Sequence, residues 1–449
     1  MSNTPFAGRN SPDEIDTAAY WMPFTSNRDF KAKPRTVVGA EKHHYLSADG
    51  RRLYDSFSGL WTSGIGHCHP KIVEAVSEQV RSLDIAMSFQ VGNDKAFRLA
   101  TELKEMAPEG LGAVFFTNSG SESADTSLKI ALAYHQARGE PTRTKFIGRE
   151  RGYHGVNFGG MSVGGIVGNR HRFSASLLGN VDHIRHTHDP ARNPNAKGLP
   201  QHGAELADDL DRLCQLHGPT NIAAVIVEPV AGSTGILPPP VGYLKRLREL
   251  CDRHGILLIF DEVITAFGRL GAGFAAERFG VTPDMINMAK GLTNGVIPMG
   301  AVLAKQELYD TICQGPAHLP ELFHGYTYSG HPVAAAAGLA TLGIYREEGS
   351  FEQARALEPV FEEALHAFDG HPKVADVRNI GLMGAIELLP RQGSPGLRGL
   401  EVHKECFWKH DLVIRNGGDC LQFAPFLNAK PDDIQSTFEK VKLALDAVE

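Results

Sequence analysis

Asp261 and Glu262 follow the apolar run Ile256-Leu257-Leu258-Ile259-Phe260, and Lys290 follows Met285-Ile286-Asn287-Met288-Ala289. The first run comes after a helix that ends at His254-Gly255, and it reads as a strand buried on both faces. Acids at the C-terminal end of such a strand point into the crevice where open α/β sheets bind ligands. A lysine beside buried surface loses part of its preference for the ammonium form, and its neutral amine can attack a carbonyl. Together, amine and carboxylate are what a pyridoxal 5'-phosphate (PLP) site needs. The lysine forms the Schiff base, and the acid keeps the pyridine nitrogen protonated so that the ring accepts carbanion electrons. Taken singly, Asp261 reads equally as a helix cap and Lys290 as a solvated lysine at a helix end. The chain must therefore also supply a phosphate cup, a ring clamp and an anchor for a substrate carboxylate.

Candidates for all three are present. The strand Ala113–Thr117 runs into Asn118-Ser119-Gly120-Ser121-Glu122-Ser123 and a helix from about Ala124 to His135. A strand, a turn of small hydroxyl residues and a helix N-terminus form an anion site. The alternative is an ordinary serine cap. Neither G-x-x-x-x-G-K-[ST] nor the full G-x-G-x-x-G spacing is matched, so nucleotide binding is poorly supported. Arg151-Gly152-Tyr153-His154-Gly155 follows a strand at Thr144–Ile147 and places an aromatic between glycines, suited to stacking on a flat ring. Glu228-Pro229-Val230-Ala231-Gly232-Ser233 leaves the strand Ala223–Val227 at the same sheet edge. The glycine-rich loop Ser58–His67 carries Trp61, and Gly325–Pro332 is a second loop of glycines and hydroxyls. Arg415 follows a strand near Leu412–Ile414 and precedes Asn416-Gly417-Gly418, either to clamp a carboxylate or as a surface arginine in a turn. His183, His186 and His188 suggest a metal at first sight. Carboxylates are few nearby in sequence and the segment reads as a surface loop, so no metal is expected.

The elements that position these residues alternate. Strands and helices follow one another from about residue 113, with Tyr243–His254 as a crossover helix, which gives an α/β fold with a mainly parallel, doubly wound sheet. Val37–Ala40 and Tyr45–Asp55 read as strands with a hairpin at Asp49-Gly50. Pro70 opens a helix, Gly159–Gly168 reads as a loop, and Asn193–Gly203 as an exposed one. An alanine-rich helix after Pro332 leads into an α+β region with strands near Val374–Val377 and Met383–Leu388. At 449 residues the chain is long for one core. The expected division is an N-terminal arm with part of a small domain (1–60), a large domain (61–334) and a C-terminal small domain (335–449). A net charge of −7 argues against nucleic acid or an anionic membrane as partner. No apolar run reaches the ~18 residues that span a bilayer. Met1–Tyr20 shows no signal peptide. The six scattered cysteines, without a C-x-x-C pair, suggest reduced thiols and a cytoplasmic setting. Residues up to about Ala19 read as a polar arm. Tyr20-Trp21-Met22-Pro23-Phe24 is expected to pack on the body or on a second subunit.

Together these motifs resemble the class III (omega) aminotransferases, a PLP family with the class I (aspartate-aminotransferase-like) fold, over essentially the whole chain. The resemblance implies a phosphate cup at Ser119, Gly120 and Ser121, and ring stacking at Tyr153 and His154. It gives two strand-end acids, Glu228 and Asp261, with Val263 on the second face of the ring, and Lys290 as the Schiff-base lysine. Lys290 and Asp261 are the implied catalytic pair. Thr327 would reach the phosphate of a neighbouring subunit, making a homodimer, or a tetramer of paired dimers, part of the site. Trp21–Phe24 and Leu60-Trp61-Thr62 resemble the beta-alanine (omega-amino acid):pyruvate branch. There Trp61 would line the substrate pocket, Arg415 would meet the carboxylate and Gln422 would lie close by. In the 4-aminobutyrate:2-oxoglutarate branch, the segment beginning Glu-Pro-Val ends in a Glu that pairs with this arginine. Ser233 stands at that position here, which favours a monocarboxylate acceptor such as pyruvate. The implied activity is transfer of an amino group from an omega-amino acid or amine to pyruvate. The alternatives left open are another class III reaction (a taurine or different omega-amine donor, a 2-oxoglutarate acceptor, an aminomutase or a decarboxylase), a nucleotide-dependent oxidoreductase and a non-catalytic PLP-binding module.

Overall fold

The computed structural model describes residues 15–449; most of the expected polar arm lies outside them. After the short helix Asn27–Ala32 come three strands: β1 (Val37–Glu41), β2 (His44–Ser47) and β3 (Arg52–Asp55). A seven-stranded sheet follows, from β4 (Leu111–Thr117), β5 (Lys145–Arg149), β6 (Val181–Ile184), β7 (Ile222–Val227), β8 (Leu257–Asp261), β9 (Met285–Met288) and β10 (Gly300–Lys305). Its order is β4-β10-β9-β8-β7-β5-β6. All neighbours pair in parallel except β10, which runs antiparallel to both β4 and β9. The last strands are β11 (Val374–Ile380), β12 (Met383–Leu388), β13 (Leu412–Val413), β14 (Arg415–Gly417) and β15 (Cys420–Phe423).

The period of two in a strand explains why the seven-stranded sheet is covered on both faces. In β8, Leu258 and Phe260 enter one core, while Leu257 and Ile259 enter the other. The helix Tyr243–His254 closes the first face with Leu244, Leu247 and Leu250. The helix Gly120–Ala137 closes the second with Leu128, Ala131 and Tyr134. Every residue of β7 and β8 is buried, so both strands read as continuous apolar runs.

The chain ends fold together. β13 pairs in parallel with β3, with Leu412 opposite Tyr54, so the N-terminal strands and a C-terminal strand share the sheet β1-β2-β3-β13. The remaining sheet, β11-β12-β15-β14, is antiparallel.

Four local expectations are corrected. Gly159–Gly168 is not a plain loop, because it contains the short helices Phe158–Val163 and Val167–Arg170. His183 lies on β6 rather than in a surface loop, since β6 pairs with β5 and gains backbone partners there. Carboxylates are not few around His188, because its ring meets Asp376 and Glu387 from β11 and β12. Arg378 Nη1 donates to both of these acids, at 2.6 and 2.7 Å. Tyr20, Trp21 and Phe24 do not pack on the body, being 64%, 88% and 78% exposed.

Candidate active site

The carboxyl ends of β5, β7, β8 and β9 converge on a cavity of about 520 Å³, lined by Gly120, Ser121, Tyr153, Glu228, Asp261 and Lys290 among others. The crevice beyond parallel strand ends is where such folds bind ligands.

Each lining residue has a local reason for its place. The helix Gly120–Ala137 begins earlier than the apolar spacing indicates, because Ser119 is its N-cap and accepts the N–H of Glu122 (3.2 Å). Ser119 thus caps the helix behind the cavity, while Gly120 and Ser121 form the wall. The N–H groups of a first helical turn have no intrahelical partner and carry the positive end of the dipole. A Cβ at Gly120 would sit 2.8 Å from a methyl of Val263, so a larger residue there would displace the valine. Gly155 is equally constrained, with φ of 92° and a Cβ position 2.3 Å from the Ser121 hydroxyl. The Tyr153–Gly155 segment therefore lies directly against the helix start.

Asp261 is buried at the end of β8. Nδ1–H of His154 donates to its Oδ2 (2.8 Å), and the N–H of Val263 to its Oδ1 (3.2 Å). Nε2 of His154 is buried without a partner. Glu228 works as a staple: Oε1 accepts the N–H of Tyr153 (2.8 Å) and Oε2 that of Gly232 (2.9 Å). Its burial pushes the carboxyl pKa up.

Lys290 follows β9 with φ of 46°, a left-handed turn that sends it off the strand. Burial pulls its amine down to about 8, against the attraction of Asp261 and Glu228, which favours the charged form. Nζ lies 5.7 Å from the Trp61 ring centroid. Arg415 stands over the same ring at 5.0 Å and over Phe57 at 5.8 Å. Arg415 is not in a surface turn. Asn416 and Gly417 continue β14, and Gly418-Asp419 turns the chain into β15, which sets Gln422 opposite Arg415. Nε of Arg415 donates to Oε1 of Gln422 (3.2 Å), and Nε2 of Gln422 donates to the carbonyl of Ser233 (3.3 Å). A neutral amide therefore holds the guanidinium.

Thr327 is not brought to this cavity within the chain. It is exposed, and its carbonyl accepts the hydroxyl of Ser88 (2.5 Å). Two residues that shape the site escaped the sequence reading, Asp55 and Arg269. The pattern Asp55-Ser56-Phe57-Ser58-Gly59 held a signal for the first, an aspartate able to accept backbone N–H groups two residues onward. Nothing local marks Arg269.

The donor set fits PLP. A helix start with a hydroxyl suits a phosphate. Tyr153 and Val263 both line the cavity, a carboxylate is fixed by two donors, and the one lysine in the lining has a depressed pKa.

Comparison with known proteins agrees with this geometry. Residues 26–445 match the family described as aminotransferase class-III. An omega-aminotransferase of Caulobacter vibrioides is 55% identical over 434 residues, 97% of this chain and 98% of the relative. A beta-alanine--pyruvate aminotransferase of Pseudomonas aeruginosa is 51% identical over 438 residues, 97% of each chain. Among solved structures, an amine transaminase from an uncultivated Pseudomonas species, in its PLP-bound form, superposes with a TM-score of 0.88. It is 34% identical, over 96% of this chain and 99% of its own. With sequence, fold and cavity in agreement from residue 26 almost to the end, this chain belongs to the class-III aminotransferases.

Proposed function

We propose that this aminotransferase moves an amino group from an omega-amino acid of the beta-alanine type to pyruvate, giving a semialdehyde and L-alanine. Its cofactor is PLP. The observation that carries the donor reading is Arg415, poised over Trp61 and held by Gln422 rather than by a carboxylate. A cation restrained by a neutral partner keeps its full charge for a substrate carboxylate. The name of the Pseudomonas aeruginosa relative supports the same donor and acceptor, and that of the Caulobacter relative supports an omega-amine donor.

When bound, PLP supplies an aldehyde for covalent capture by an amine and a protonated ring that takes up electrons from the donor carbon. The residues of this chain do the rest. Lys290 Nζ would hold the cofactor and would carry the proton off the donor carbon. Asp261 would keep the ring nitrogen protonated, with His154 fixing its orientation. Tyr153 and Val263 would clamp the ring faces. Gly120 and Ser121 would hold the phosphate, joined by Thr327 of a second copy in a homodimer, with Ser119 capping the helix that carries them. Glu228 ties the Tyr153 segment to the Gly232 loop, and Trp61, Arg415 and Gln422 would form the donor-carboxylate end.

The division into an N-terminal arm with part of the small domain (1–60), a large domain (61–334) and a C-terminal small domain (335–449) belongs to this reading, and the β3–β13 pairing supports it. All six cysteines are free, in keeping with a cytoplasmic protein. Among the described residues no helix is long and apolar enough to cross a membrane.

The test is Lys290→Ala beside wild type in a matrix of donors and acceptors. Wild type should turn over beta-alanine with pyruvate, and the variant should lose about 10³-fold or more of that rate. A variant that keeps wild-type turnover would sink the assignment. A wild type that accepts 2-oxoglutarate in place of pyruvate would sink the acceptor.

A further inference from the structure

Trp61 sits on a turn that a chain does not adopt freely. Ser58, Gly59 and Trp61 have φ of 40°, 72° and 58°. This left-handed region strains non-glycine residues and persists only where the surroundings enforce it. Two buried charged side chains reach the turn from separate parts of the chain. From the end of β3, the carboxylate of Asp55, fully buried, accepts the N–H of Phe57 at Oδ1 (3.0 Å) and that of Gly59 at Oδ2 (2.5 Å). Nε2 of His67, at the far end of the same glycine-rich loop, also donates to Oδ2 (2.9 Å). Beyond β8, the buried Arg269 donates from Nη2 to the Ser58 hydroxyl (2.9 Å) and from Nη1 to the carbonyl of Pro425 (2.5 Å). The Ser58 hydroxyl in turn donates to the carbonyl of Ala424 (2.9 Å).

Ala424 and Pro425 directly follow β15, the strand that presents Gln422 to Arg415. The turn bearing Trp61 and the hairpin bearing Arg415 are thus fastened to one another through Ser58 and Arg269. Neither Asp55 nor Arg269 lines the cavity, so each acts through the residues it holds.

We propose that Asp55 is a positioning residue for the carboxylate end of the donor pocket: it holds the Phe57–Trp61 turn in the left-handed form that sets Trp61 beneath Arg415. Arg269 fastens the same turn to the end of β15. This rests on the reading that Trp61 and Arg415 receive the donor carboxylate. Lys290, which would meet the reacting end of the donor, and Asp261 are carried by β9 and β8, outside the turn. Loosening the turn therefore weakens the hold on a carboxylate and leaves proton transfer alone.

The experiment uses the holoenzyme with Asp55→Asn, which keeps the side-chain volume and one acceptor oxygen but turns the other into an amide donor facing a backbone N–H. Beta-alanine and 1-aminopropane, an amine with no carboxylate, are compared as donors to pyruvate. KM for beta-alanine should rise about tenfold with kcat nearly unchanged, the signature of lost uniform binding, while 1-aminopropane is unaffected. In a Trp21→Phe, Trp408→Phe background Trp61 is the remaining one of three tryptophans, and its emission should shift to the red without substrate. Equal losses on both donors, or no change in KM and emission, would overturn the proposal. Should Asp55→Asn fail to fold, Ser58→Ala cuts the Arg269 fastening and should give the same split, about threefold; no split there also overturns it. Wild type inactive on beta-alanine would count against the proposed donor, and the emission shift would still judge the positioning role.

Discussion

At Lys290 desolvation opposes the attraction of two acids, and desolvation is the larger effect, which leaves the amine at about 8. The sign sets a pH dependence. Capture of an aldehyde needs the neutral amine, whose fraction falls about tenfold for each pH unit below 8. Cofactor-free enzyme mixed with PLP should therefore bind it covalently faster as pH rises, with a plateau above about 8. Stopped-flow absorbance from pH 6 to 9 reads this directly, and a flat profile would contradict it. Gln422 gives a second prediction at the same scale. It holds Nε of Arg415 from 3.2 Å as a neutral acceptor. Gln422→Glu places a carboxylate there and neutralises the cation, so KM for beta-alanine should climb about tenfold or more. 1-Aminopropane, with nothing for Arg415 to hold, should serve as before.

The helix Gly120–Ala137 and the segment Tyr153–Gly155 work as a pair, because Gly155 leaves no room between them. A methyl at residue 155 would overlap the Ser121 hydroxyl and main chain at 2.3 and 2.6 Å, at a φ of 92° that disfavours any side chain. Gly155→Ala should push the two elements apart and weaken PLP retention about tenfold, read as the PLP concentration that restores half the activity. Gly139, with φ of 77° and nothing within 4 Å of its Cβ position, is the control. Its alanine variant meets only the backbone strain and should retain PLP normally. Legibility followed locality among these elements. Tyr243–His254 and β8 are plain from apolar spacing and a C-terminal glycine, since both are local signals. The start of the helix at Gly120 was missed because its first turn is small and polar, chosen for its cap and its ligand rather than for a core. The helices Asp94–Met106 and Pro431–Ala447 are absent from that reading, although each sets an apolar stripe opposite a charged face.

For the whole molecule the exposed aromatics set an expectation. Tyr20, Trp21, Phe24 and Phe323 are 64%, 88%, 78% and 93% exposed, and large apolar side chains left in water mark surfaces that a partner covers. The proposed homodimer predicts sedimentation at twice the 48.7 kDa chain mass. It also predicts that Thr327→Ala lowers PLP retention although Thr327 stands outside its own chain's cavity. A monomer that holds PLP and is fully active would refute both.

The amino-acid sequence determined the chemistry of this protein, because the strand-end acids, the lysine after β9 and the hydroxyl-rich helix start are each short-range patterns fixed by strand and helix periodicity. It left open whatever depends on contacts between distant segments. The antiparallel course of β10 is one such feature, since pairing direction has no local signature. The return of β13 to β3, the guanidinium of Arg378 between the acids near His188, and the grip of Asp55 and Arg269 on the Trp61 turn are others. Tertiary structure decided these, because a buried charge finds its partners only after the chain has closed around it.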